Sequence, residues 1–234
     1  MKKSALRLSV AILVLGFVVA VAWYYRPAKV HYRITVEVND RGTIRSGSAV
    51  WSFALSRAIL PLASPYNPRF SGEAVRVVVP GRGDLYALVE LDASPEMYPE
   101  NLFGDLRRPL PGGRQFMDRT DDIRHIQTLI GAKAYLSCAN PPWIGVRCPK
   151  MIRFRDKRDP TSVEVIDPAH LSMIFGNGVH LSHVWVEVTD DPVTTGIDKT
   201  LPSFGIETNY HEWFMSLPFG DSRRIVKEDF ERQS

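Results

Sequence analysis

The chain has 234 residues, of which 44% are apolar and 24% charged, enough to fold around a core rather than to stay a disordered tail. Its formal charge of +3 is concentrated at the front: with Lys2, Lys3 and Arg7 set aside, 26 basic residues face 26 acidic ones. That balance leaves no bulk positive field for a nucleic acid, and two cysteines exclude a disulfide-dense scaffold.

Residues 1–7 form a basic tip, and Leu8 to Tyr25 carry no charge. A helix of that length rises about 27 Å, which suits a transmembrane anchor with Trp23, Tyr24 and Tyr25 as its aromatic belt. A cleavable signal peptide is the competing reading, with Lys2, Lys3 and Arg7 before an apolar stretch and Ala20-Val21-Ala22 as the cleavage site. Both readings export the remainder. The expectation is a single-pass protein of a bacterial inner membrane, held through Leu8–Tyr25, with its C-terminal domain in the periplasm.

The next segment, 26–91, reads as a four-stranded antiparallel unit. Val30, Tyr32, Ile34, Val36 and Val38 alternate with polar residues as one half-buried strand. Asn39-Asp40-Arg41-Gly42 turns the chain into a second strand through Ala49, Trp51, Phe53 and Leu55. A Pro-rich loop with Pro61, Pro65 and Pro68 follows. Ala74–Val79 and Leu85–Leu91 then flank Pro80-Gly81-Arg82-Gly83-Asp84 as a second hairpin. Residues 92–118 are a long Pro/Gly-rich connection.

The second half of the exported part, 119–234, is expected to be α+β. Thr120 or Asp121 caps a helix with Ile123, Ile126, Leu129 and Ile130 as its buried stripe and Gly131 as its stop. Strands follow at Met151–Arg155 and Ser162–Ile166, joined by an Asp159-Pro160 turn. Asp167 and Pro168 open a short helix that ends at Gly176-Asn177-Gly178. Val179–Thr189 is the longest strand, with Leu181, His183, Trp185 and Glu187 on one face. Tyr210, Trp213, Phe214 and Leu217 line one side of a last helix, with Asn209 and Glu212 as its capping pair. That side either buries against the β-layer or is itself a docking surface. The predicted fold class is therefore α+β: an N-terminal transmembrane helix followed by an antiparallel β-rich ectodomain with a few short helices.

Gly72-Glu73-Ala74-Val75 with Val77-Val78-Val79-Pro80-Gly81 and Leu85-Tyr86-Ala87-Leu88 resembles a family of uncharacterised membrane-anchored envelope proteins of Gram-negative bacteria. Asp159-Pro160-Thr161-Ser162-Val163-Glu164, Phe175-Gly176-Asn177-Gly178-Val179 and the run from Val188 to Ile197 carry the same likeness. The resemblance implies an anchored envelope protein. It carries over no activity and no functional residue.

The candidate sites are few. Cys138 and Cys148, in an oxidising compartment, read first as a disulfide and otherwise as two buried thiols; a catalytic cysteine would lack a nearby histidine, His125 being 13 residues back. His180 and His183 point to opposite sides of a regular strand, which disfavours a zinc pair. Glu187, Asp190, Asp191 and Asp198 offer hard oxygen ligands for Ca²⁺, although their spacing is that of ordinary turn chemistry rather than an EF-hand. Arg82-Gly83-Asp84 matches an adhesion tripeptide, and the hairpin turn accounts for it. No G-x-S-x-G, H-E-x-x-H, P-loop or G-x-G-x-x-G is present. The expected function is non-enzymatic: binding or organising another envelope component, with an envelope protein as partner, no nucleic acid and no cofactor. A periplasmic hydrolase of a cell-wall or peptide substrate is the alternative.

Overall fold

The computed structural model describes residues 2–59, 64–89, 118–136, 138, 148–204 and 209–232, with side chains from residue 10 onward. The connection expected at 92–118 lies outside the described residues except for Asp118.

Helix α1 spans Lys2–Tyr24. Among the described residues no helix is long and apolar enough to cross a membrane. The transmembrane assignment of Leu8–Tyr25, and the fold class built on it, are corrected accordingly. The chain is β-rich, with two antiparallel sheets and short helices.

The larger sheet takes its strands in the order β10 (Glu231–Arg232), β3 (Tyr66–Glu73), β2 (Thr43–Arg57), β1 (Ala28–Asp40), β9 (Val179–Thr189) and β6 (Lys133–Tyr135). The smaller sheet is β4 (Val75–Val79), β5 (Gly83–Ala87), β7 (Met151–Phe154) and β8 (Val163–Ile166). The four strands read as one unit at 26–91 are thus divided. β1 and β2 belong to the large sheet and β4 and β5 to the small one, and each sheet recruits strands from the second half.

β1 and β2 pair without interruption from Ala28↔Leu55 to Asp40↔Thr43. The two-residue turn Arg41-Gly42 has φ values of 53° and 87°. Both are positive, as a hairpin turn matched to the strand twist requires; Asn39 Oδ1 accepts from the Gly42 amide at 2.7 Å. β3 replaces what the sequence reads as a Pro-rich loop. Proline is tolerated there because β10 pairs only with Gly72 and Glu73, which leaves Pro68 on an open edge where no ladder N–H is needed.

The inner face of β1 and β2 (Tyr32, Ile34, Val36, Val38, Trp51, Phe53 and Leu55) is fully buried. β4 and α2 (Arg119–Gln127) cover it. The approach at Gly47 is close: a Cβ there would stand 2.0 Å from the Arg76 carbonyl oxygen. α2 is capped by Asp118, two residues before the first of the expected caps, and its side chain accepts from the Thr120 amide at 2.7 Å. Burial disfavours the Asp118 charge, but the Thr120 bonds and the Arg57 guanidinium prevail and hold the carboxyl below its usual range. Ile123 and Ile126 are buried while Ile130 is exposed, because the helix ends at Gln127.

The small sheet is a middle layer. Leu85, Ala87 and Met151 face the large sheet, while Tyr86, Leu88, Ile152 and Phe154 face a second core with Ile197, Ile225 and Phe230. Strands buried on both faces lose the alternation that marks a half-exposed strand. Short turns and helices from 197 to 232 form the third layer, among them α4 (Tyr210–Ser216); α3 (Leu171–Phe175) packs instead against β9.

Candidate functional site: an aromatic cleft

The third layer holds an aromatic chain. Phe154 and Phe230 stack at 5.9 Å between ring centroids, and Tyr86 meets both edge-on. Phe204 stands 5.7 Å from Phe230 and 5.0 Å from Tyr210, whose ring reaches Trp213 at 5.5 Å and Phe214 at 6.1 Å. Edge-on and offset ring pairs each add about 0.5–1.5 kcal/mol beyond burial. Two hydroxyls fix the chain to backbone: Tyr86 donates to the Thr200 carbonyl at 2.9 Å and Tyr210 to that of Ile225. Burial, assisted by Asp229, pushes the Tyr210 hydroxyl up to about 12, so it stays protonated and keeps its donor role.

Outward from these rings lies a cleft of about 1010 Å³. Leu201, Pro202, Phe204, Phe214, Met215 and Val226 give it apolar walls, while Asp198, His211, Lys227 and Glu228 supply polar groups. The size and the lining, mostly apolar with a few polar groups, are those of a binding pocket. Arg224 lies 4.5 Å over the Phe214 ring and anchors itself on the Leu217 carbonyl at 3.2 Å. α4 reads only in part as expected. Tyr210 and Leu217 are buried, Trp213 and Phe214 are half-buried, and Met215 is exposed. Asn209 sits at the N-cap position without a side-chain capping bond, because φ −72° and ψ 14° turn it away from the extended geometry a cap uses.

The sequence candidates fall elsewhere. Cys138 and Cys148 form a disulfide, with Cα atoms 4.9 Å apart. Glu187 and Asp191 both serve Arg33, which lies 3.4 Å from Glu187 and also binds the Asp191 carboxylate. Asp190 is exposed beside them, and Asp198 departs to the cleft. The four acids therefore do not converge, and among the described residues no group of His, Cys, Asp and Glu is placed to hold a metal. In Arg82-Gly83-Asp84, Arg82 donates to the Phe175 carbonyl and Asp84, only 2% exposed, takes Arg76 at 2.6 Å and Lys157 at 2.7 Å. The tripeptide is spent on the fold.

The histidines need the largest correction. The β1–β9 register shifts between Glu37, opposite His183, and Val38, opposite Leu181, so Ser182 is an extra residue. A bulge of this kind reverses the facing of everything beyond it. Val179 and Leu181 face the core, as do Val184, Val186 and Val188, whereas His180 and His183 both lie on the exposed side. His183 therefore does not share a face with Leu181, although the unbroken alternation of the strand predicts that it does. Its side chain is 56% exposed, 3.4 Å from Glu37 and edge-on to the Tyr135 ring at 5.8 Å.

Sequence reasoning missed Glu73. Its carboxylate is 9% exposed and accepts from the Ile197 amide at 2.8 Å. Burial raises its pKa, Ile197 and Thr194 oppose that, and Glu231 and Asp198 add to it. Thr194 also bonds with both the N–H and the C=O of Val50, so residues 190–197 run from the end of β9 to the edge of β2 as a strap ending at the cleft wall. A lone glutamate before Ala74-Val75 gives no sign of this, because its partner is 124 residues away. Comparison with protein-family models, with curated proteins and with solved structures gave no match, so the site rests on its own geometry.

Proposed function

We propose that this is a non-enzymatic binding protein of the bacterial cell envelope, which engages another envelope component through the aromatic cleft. The observation that carries the reading is the cleft itself: about 1010 Å³ with apolar walls and a polar rim. Export is supported by the Cys138–Cys148 disulfide, since such bonds persist in oxidising compartments. The resemblance to anchored envelope proteins of Gram-negative bacteria points the same way. Acid and base are mixed at the rim (Asp198 and Glu228 against Lys227), which suits a partner inserting apolar side chains rather than a polyanion.

A photo-crosslinking residue at position 215, installed in the full chain in cells, tests this reading. It should give a discrete adduct with an envelope component, and Phe214→Ala should remove that adduct. Adducts no different from those of a probe at Val78, which is exposed and does not line the cleft, would overturn the proposal.

A further inference from the structure

The outer face of the large sheet carries a second surface, far from the cleft in the layer order. β6 is an edge strand of three residues, with Tyr135 opposite Trp185 and Lys133 opposite Glu187. Tyr135 is 69% exposed, and the bulge at Ser182 brings His183 out beside it. Lys133 holds its ammonium 4.2 Å from the Trp185 ring centroid. Glu37 lies within the group, 3.5 Å from the Trp185 indole nitrogen and 3.4 Å from His183 Nδ1. Both contacts are long, and the Glu37 side chain is 28% exposed, so it keeps acceptor capacity toward solvent.

From this arrangement we infer that the Tyr135–Trp185–His183 platform is a binding site for a β-linked oligosaccharide. The argument is complementarity. A sugar ring with equatorial substituents offers a flat C–H face, which packs on an exposed aromatic face, and a rim of hydroxyls, each a donor and an acceptor. Tyr135 supplies the aromatic face. Glu37 accepts, Lys133 donates, and His183 does either according to its tautomer. Charges of both signs alternate here (Lys133, Glu187, Arg33, Glu37), which disfavours a nucleic acid, whose binding depends on uncompensated cations. A lipid or an apolar peptide would cover the Glu37 carboxylate and the Lys133 ammonium without offering either a hydrogen bond in place of water.

The test is titration of the full chain with a neutral β-1,4-linked N-acetylglucosamine tetramer, followed by calorimetry and by the Trp185 indole resonance, identified through Trp185→Phe. Binding should perturb that resonance. Tyr135→Ala should weaken affinity about tenfold, the size of one lost aromatic stacking contact. Glu37→Gln should weaken it less, and Phe214→Ala in the cleft should leave it unchanged. Because Tyr135 is exposed, its variant should keep the wild-type melting temperature, so lost affinity cannot be blamed on misfolding. No heat and no resonance shift with the tetramer would overturn the inference. So would equal affinity in Tyr135→Ala, or binding of a single-stranded DNA decamer in place of the sugar. None of these outcomes bears on the cleft, so the two proposals stand or fall separately.

Discussion

The two cores are built from the same small sheet and behave as opposites. On one side of β5, Leu85 and Ala87 join a sealed core in which Val30, Ile34, Val36 and Val184 pack with Tyr32, Trp51 and Phe53, closed off by α2 and β4 and almost without exposed atoms. On the other side, Tyr86 and Leu88 join Phe154, Phe230 and Ile225, and that core opens through Phe204 and Tyr210 into the cleft. The difference lies in what covers each face. Long strands with continuous hydrogen bonding seal the first. Short helices and turns cover the second, and elements with few neighbours leave rings half-exposed. Stability is thereby concentrated in one core and a usable surface in the other.

The sharpest way to break this contrast is truncation in each core. Trp51 is fully buried, donates its indole N–H to the Glu73 carbonyl at 2.7 Å and meets Phe70 edge-on at 5.6 Å. Trp51→Ala should cost about 3–5 kcal/mol, a large share of the roughly 5–15 kcal/mol of an ordinary domain. Phe214→Ala, at the half-buried cleft wall, should cost well under half as much. Urea unfolding of both variants measures the difference, and equal losses would mean that the third layer is as tightly closed as the first.

Next in size is the disulfide. Serine at positions 138 and 148 should lower stability by about 2.5–3 kcal/mol, the chain-entropy value for a loop of this length. Cys138 and Cys148 pack partly against the sealed core, so the loss should appear in global unfolding rather than at the cleft. Thiol labelling of denatured, unreduced protein should find no free cysteine, and two labelled thiols would contradict the pairing.

A third test addresses the contact between the sheets. Gly47→Ala puts a methyl 2.0 Å from the Arg76 carbonyl oxygen and 2.7 Å from its carbon, atoms of the backbone that cannot rotate away. The sheets must separate locally, at about 1–3 kcal/mol. Because the contact is on the side of the sealed core, a probe binding in the cleft should keep its affinity even as the melting temperature falls.

What was legible in the sequence divides along the same line. The β1–β2 hairpin could be read because period-2 burial and a turn with glycine in the left-handed region act locally. β9 was bounded at Val179–Thr189 as expected, but its facing was not, since a bulge leaves no mark in the composition of Leu181-Ser182-His183. β3 was hidden by Pro68, which is harmless only because that edge is open, a tertiary fact. The aromatic stripe of α4 was visible, yet the cleft was not. Its walls come from Leu201–Phe204, α4 and Val226–Glu228, segments with no shared periodicity that only the fold brings together.

The smallest effect expected is also the one that ties the two regions together. Glu73 sits in β3 of the large sheet but holds the Ile197 amide at the start of the turn that leads into the cleft wall. Burial, with Glu231 and Asp198 nearby, raises its pKa above the ordinary 4.5 despite the bonds from Ile197 and Thr194. A raised acid binds protons more tightly in the folded state than in the unfolded one. Its contribution to stability is therefore full below about pH 4.5 and is lost as pH rises through the folded pKa. Glu73→Gln keeps an oxygen to accept from Ile197 and removes the ionisation. The variant should match the wild type in acid and become the more stable of the two at neutral pH, by about 1 kcal/mol or less. Unfolding midpoints across pH 4 to 8 read this directly. If Glu73→Gln were less stable at neutral pH, the ionised carboxylate would be a net support of the strap, and the link between sheet and cleft would be electrostatic rather than a hydrogen bond maintained against burial.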